Sequence, residues 1–188
     1  MGRPVGDGAS DNDVFYDTYL APLETRLLRT AWRITRDPDR ARDAVQDAMA
    51  RIWTHRERVR GHPNPAALVL RIAIQAAIDA RRRESRWWRL GGSPMPRAAG
   101  AGPDGDPGAA AERREARTLV LDAIARLPER QAAAVTMRVM EDASYETIAA
   151  ALGCAEATAR VHVLRGREKL RHLLHDLAQA TRTRGGER

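Results

Sequence analysis

Four residues in the stretch Thr158–Arg165, TARVHVLR, have the chemistry needed to read a DNA major groove. Arg160 can grip a guanine through two parallel hydrogen bonds. Thr158 and His162 can bond base edges, and Val161 can touch a thymine methyl. Arg165 begins a second set with Arg167, Lys169 and Arg171, suited to phosphates. On a helix that met only water, the same residues would be an ordinary solvated face. What decides between the two is the element that holds them.

That element reads as a helix-turn-helix. In SYETIAAALGCAEATARVHVLRG, Ser144 stands as an N-cap and Glu146 in the first turn suits the helix dipole. The capping box is incomplete, with Thr147 where Glu or Gln would close it. Gly153 ends the first helix in an expected left-handed conformation. The second helix is expected from Ala155 or Glu156, with Ala159, Val163, Gly166 and Leu170 as its buried stripe. Gly166 in mid-helix costs about 1 kcal/mol relative to Ala, which points to a close helix approach. A motif of this kind puts the start of its second helix into the major groove.

A second constellation lies upstream. A helix starts at Asp37-Pro38, Asp as cap and Pro at the first position, and is expected to run to about Val59. Its apolar stripe is Ala41, Ala44, Val45, Ala48, Met49, Ile52 and Trp53, beside a polar face of Asp43, Gln46 and Asp47. RGHPNPA, from Arg60 to Ala66, reads as a loop. His62 and Asn64 could offer hydrogen bonds there and Arg60 a phosphate clamp. The helix that follows ends in DARRRESRWWR. Arg81, Arg82, Arg83, Arg86 and Arg89 would form a phosphate track; Trp87 and Trp88 would pack against the first domain or anchor what comes next, with stacking on bases as the alternative.

The chain of 188 residues is 4% aromatic with a net charge of +7. Ala and Leu dominate its apolar content, which favours an all-α fold. The basic balance suggests a polyanionic partner. The expected organisation is a disordered tail at 1–12, a helical domain at 13–90 bent or restarted at Pro22, and a flexible Gly/Pro/Ala-rich linker at 91–111. A second domain at 112–178 contains the helix-turn-helix, and a frayed basic tail follows at 179–188. Neither a secretory signal nor a membrane-spanning run is visible. The one cysteine, Cys154, reads as a small core residue. Five scattered His form no H-E-x-x-H, and no Walker, G-x-S-x-G or Rossmann motif occurs. No enzymatic role, cofactor or metal is expected, nor an obligate homo-oligomer.

The segment LDAIARLPERQAAAVTMRVMEDASYETIAAALGCAEATARVHVLRGREKLRHLL resembles the C-terminal domain of bacterial sigma factors of the extracytoplasmic-function group. The first domain resembles the same family independently: RARDAVQDAMARIW is similar to its polymerase-binding helix, and ALVLRIAIQAAIDARRR to the helix behind its promoter-melting loop. Some positions depart from the pattern. Leu68 stands where Trp is frequent and Gln75 where Asn is. Ala155 replaces a side-chain cap, and Cys154 replaces Ile or Val.

The resemblance implies a cytoplasmic promoter-specificity subunit of RNA polymerase. Asp43, Gln46 and Asp47 would dock the polymerase core. Thr158, Arg160, Val161, His162 and Arg165 would hold the minus-thirty-five duplex. Arg60, His62, Asn64, Gln75 and Arg82 would act at the opened minus-ten strand. The implied partners are core polymerase and promoter DNA, with an anti-sigma factor as a candidate third. Two other readings stand beside it: a stand-alone helix-turn-helix regulator, and an interaction protein that binds polymerase or an anti-sigma factor.

Overall fold

The computed structural model describes residues 11–89 and 107–185, and every element among them is helical. The N-terminal half opens with α1 (Asp11–Tyr19). A 3-10 turn at Ala21–Leu23 carries Pro22, and α2 (Glu24–Thr35) follows. The restart expected at Pro22 is therefore present. The α2 helix stops at Arg36, which takes a left-handed φ of 59° and stacks on Trp32.

Asp37 caps α3 (Pro38–Thr54), accepting from the backbone N–H groups of Asp39 and Arg40 at 3.0 and 2.9 Å. The helix was expected to continue to Val59 but breaks at His55, whose φ of −115° and ψ of 29° leave the helical region. A short α4 (Arg56–Arg60) resumes at an offset. Neither Gly nor Pro marks this break. Val59, on α4, is completely buried.

Helix α5 (Pro65–Arg89) is the central element. Asn64 caps it through Oδ1 to the N–H of Ala67 at 3.0 Å. Its long apolar face, from Leu68 to Ile78, packs on α2 and α3 against Leu27, Ile34, Ala44 and Ile52. Each fully buried Leu or Ile in such a core contributes about 1.5–3 kcal/mol.

The C-terminal half comprises α6 (Pro107–Ala125), α7 (Glu129–Met140), α8 (Tyr145–Leu152) and α9 (Glu156–Gly185). The linker expected at 91–111 lies mostly outside the described residues. Its last part is helical, because α6 opens at Pro107, ahead of Glu112. The α9 helix likewise runs past the expected start of a frayed tail. Ser144 caps α8 through Thr147 N at 3.0 Å, and Gly153 ends it at φ 61°. Gly166 lies in the α7–α9 contact: a Cβ there would meet Val135 Cγ2 at 2.6 Å.

The two halves are packed together. Helix α5 contacts α6, α7 and α8, and one apolar cluster runs through both halves. Arg81, expected on an exposed phosphate track, is 2% exposed instead. It pairs with Asp122 at 2.8 Å and reaches the carbonyls of Thr118 and Ile34. A buried guanidinium requires such partners, and they come from segments distant in sequence.

Candidate nucleic-acid interface

The first turns of α9 present the groove-reading set to solvent. Thr158, Arg160 and Arg165 are exposed, Val161 is 40% exposed and His162 is half-buried. Leu164, not singled out above, is 58% exposed beside them. Arg160 is positioned from two sides: it stacks on Tyr145 at 4.4 Å and donates to Glu156. Arg138 approaches the same ring at 5.3 Å. Burial lowers the His162 pKa from its ordinary value, helped by the charges of Arg130 and Arg165. Its imidazole is therefore neutral at pH 7, with one donor and one acceptor.

On α3, Asp43, Gln46 and Asp47 are exposed on one face. Asp47 pairs loosely with Arg83 at 3.5 Å, both well solvated. A shallow cavity of about 380 Å³ adjoins them, lined in part by Asp43, Arg83 and Trp87. Trp87 is 64% exposed, which rules out inward packing among its alternatives. The side chains of Trp88 and Arg89 lie outside the described residues.

The predicted single-strand set divides. Arg60 is the last residue of α4, not a loop residue. It is held by Asp11 at 2.8 Å and Glu57 at 3.2 Å, which raise its pKa. Nδ1 of His62 accepts from the N–H of Asn64 at 3.1 Å. The same Nδ1 lies 2.8 Å from the Asn64 carbonyl, and Nε2 lies 3.1 Å from the Ala150 carbonyl. Arg82 donates to the carbonyls of Ala125 and Leu127, each at 2.7 Å.

Gln75 is 8% exposed and donates to Asp79 at 2.9 Å, while its buried Oε1 has no hydrogen-bond partner among the described residues. It lines a cavity of about 210 Å³ between α3, α4, α5 and the start of α7. Arg51, His55, Arg58 and Arg71 line the same cavity, with Glu129 at its α7 side. Sequence reasoning missed these four. Arg51, His55 and Arg58 recur at spacings of four and three, a helical face that could have been noticed. Arg71 has no such local sign. Arg51, Arg58 and Arg71 give this cavity cationic walls, suited to a phosphate.

Among the described residues no group of three or more His, Cys, Asp or Glu could hold a metal ion, and no helix is long and apolar enough to cross a membrane.

Residues 19–87 match the family model for Sigma-70 region 2, and residues 117–170 that for Sigma-70, region 4. An RNA polymerase sigma-E factor of Streptomyces antibioticus is 30% identical over 162 residues, 85% of this chain and 84% of that protein. The chain belongs to the sigma factors of bacterial RNA polymerase. It falls in their extracytoplasmic-function group and is a promoter-specificity subunit, a regulatory DNA-binding protein that works with the polymerase core. The ECF RNA polymerase sigma factor SigL of Mycobacterium tuberculosis is 29% identical over 180 residues, 94% of this sigma factor and 98% of that one. In structure, this sigma factor resembles RpoE of Bartonella quintana, solved with the anti-sigma factor NepR. The TM-score is 0.50 at 22% identity, covering 85% of this chain and 96% of that one, a likeness of fold.

Proposed function

We propose that this sigma factor divides its work among three surfaces. The acidic face of α3, with Asp43, Gln46 and Asp47, docks a basic surface of the core; acidic groups on a basic chain are suited to a protein rather than to DNA. The start of α9 reads the minus-thirty-five duplex through Thr158, Arg160, Val161, His162 and Arg165. The α4–α5 region takes the opened minus-ten strand, with Arg60, His62, Asn64, Gln75 and Arg82 joined by the walls of the Gln75 cavity.

One observation supports the reading: the same chain has an exposed basic helix face at the start of α9 and a separate cationic cavity of about 210 Å³ lined by Gln75. A stand-alone regulator, which binds closed duplex, has no use for the second. The polymerase carries out the catalysis, in the cytoplasm, and this subunit contributes position alone. An anti-sigma factor is a candidate further partner.

The test is co-elution with bacterial core polymerase on gel filtration at moderate salt, where non-specific contacts of a basic protein are screened. Stoichiometric co-elution is expected. Separate elution of a folded protein would favour the stand-alone regulator.

A further inference from the structure

Trp87 stands near the end of α5, one turn beyond Arg83, and is 64% exposed. An open tryptophan forgoes the free energy of burial in the free chain, and tryptophan is enriched among the anchors of protein interfaces. It lines the cavity of about 380 Å³ whose other walls are Arg40, Asp43, Ala80, Arg83 and Glu84. Asp43 also belongs to the acidic face of α3, so the cavity and that face form one continuous surface.

The charges around the cavity do not cancel. Arg40 pairs with Glu84 at 2.5 Å, a carboxylate whose side chain is 6% exposed, so this wall is fixed. Arg83 reaches across to Asp47 at 3.5 Å. Asp43 is exposed and has no ion-pair partner among the described residues. Arg40 and Arg83 thus stand against Glu84, Asp47 and Asp43, and the spare negative charge lies at Asp43. A ring on one wall and an unpaired carboxylate on another suit a long basic side chain. Its methylene stem covers the ring while its cation meets the carboxylate.

We propose that the docking face of α3 continues onto the end of α5: a Lys or Arg side chain of the polymerase core enters the cavity, its stem along Trp87 and its charge at Asp43. The proposal rests on reading Asp43, Gln46 and Asp47 as the core-docking face. It adds to that face the apolar anchor that an acidic ridge lacks. Exposed charges contribute mainly on-rate and register, whereas a ring that becomes buried contributes to how long the contact lasts. Filling the cavity also excludes water from Asp43, which strengthens its attraction for the incoming cation.

The experiment titrates the full chain, fluorescently labelled, with bacterial core polymerase at moderate salt. Trp87→Ala, Trp87→Phe, Asp43→Asn and the combined Trp87→Ala/Asp43→Asn are compared with the wild type. Asp47→Arg runs beside them as the marker of the α3 face. Trp87 and Asp43 are both exposed, so melting temperatures should stay within about 2 °C. Trp87→Ala should weaken core binding about tenfold. Trp87→Phe, which keeps an aromatic face, should lose clearly less. Asp43→Asn should weaken binding about threefold. The combined variant should lose less than the product of the two, because both changes act on one side chain of the core.

Unchanged affinity of Trp87→Ala, with binding reduced by Asp47→Arg, would overturn the proposal and leave docking through α3 standing. Full additivity in the combined variant would also overturn it, since Trp87 and Asp43 would then meet different groups. If no variant lowers the affinity, the α3 reading falls together with this one. A wild-type chain whose own elution volume depends on concentration, a dependence lost in Trp87→Ala while core affinity is kept, would give the cavity to a second copy and overturn the proposal.

Discussion

The guanidinium of Arg160 lies 4.4 Å from the ring centroid of Tyr145, the first residue of α8. The first helix of the motif thereby sets the direction of a side chain on the second. Arg160→Ala should cost about 1–3 kcal/mol of affinity for the cognate upstream duplex if the group grips a base. Tyr145→Leu, which removes the ring under both Arg160 and Arg138 but keeps an apolar side chain against the core, should cost about 0.5–1 kcal/mol. Fluorescence titration of the holoenzyme on cognate and scrambled upstream duplexes checks both. An equal loss on the scrambled duplex would make Arg160 a phosphate contact.

Asp47 is exposed and its contact with Arg83 is solvated, so its charge contributes little to folding. Asp47→Arg should weaken binding to the polymerase core while leaving the melting temperature within about 2 °C. Titration of labelled core against wild type and variant measures the difference. Unchanged affinity would take Asp47 out of the docking face.

Gly166→Ala sets two effects against each other. Ala is the better helix former by about 1 kcal/mol. The added Cβ, however, would stand 2.6 Å from Val135 Cγ2 and 3.3 Å from the Gln131 carbonyl. Overpacking of this kind costs about 1–3 kcal/mol, and the carbonyl is backbone that cannot rotate away. The urea midpoint should fall, and Val135→Ala in the same chain should recover part of the loss. A midpoint that rises would mean that α7 and α9 can spread apart.

His162 carries a pH dependence whose sign follows from its lowered pKa. Between that value and the unfolded 6.5, the unfolded chain binds more protons than the folded one. His162 therefore reduces stability as pH falls through that window. DNA phosphates act oppositely, raising the pKa by stabilising the imidazolium. Affinity for the upstream duplex should thus increase from pH 8 to pH 6, and His162→Gln should flatten the increase. A wild-type profile as flat as the variant's would exclude coupling between His162 and the phosphates.

The parts of this fold visible in the sequence are those whose cause is local. Pro22, Asp37-Pro38, Ser144 and Gly153 each punctuate the chain through their own backbone chemistry, and each does so where expected. The start of α9 also has a local cause, and its solvent-facing residues were legible. The break at His55 was not, because no residue there forbids a helix. Arg81 was misread for a related reason. An arginine among arginines reads as solvated until Asp122, distant in sequence, comes beside it. Gln75 could be picked out as a polar residue in an apolar helix. The cavity around it could not, since α3, α4, α5 and α7 each bring one part.

The contact at Gly166 also bears on how promoter preference can diverge among descendants of this chain. Because Gly166 brings α9 directly against Val135 of α7 with no side chain of its own, the tilt of α9 on α7 is restricted. New binding sequences must then arise by exchange of individual side chains at Thr158, Arg160, Val161, His162 or Leu164. Each exchange alters recognition of one or two base pairs, and the register of the rest is kept. Drift in such a lineage would proceed in single letters of the operator.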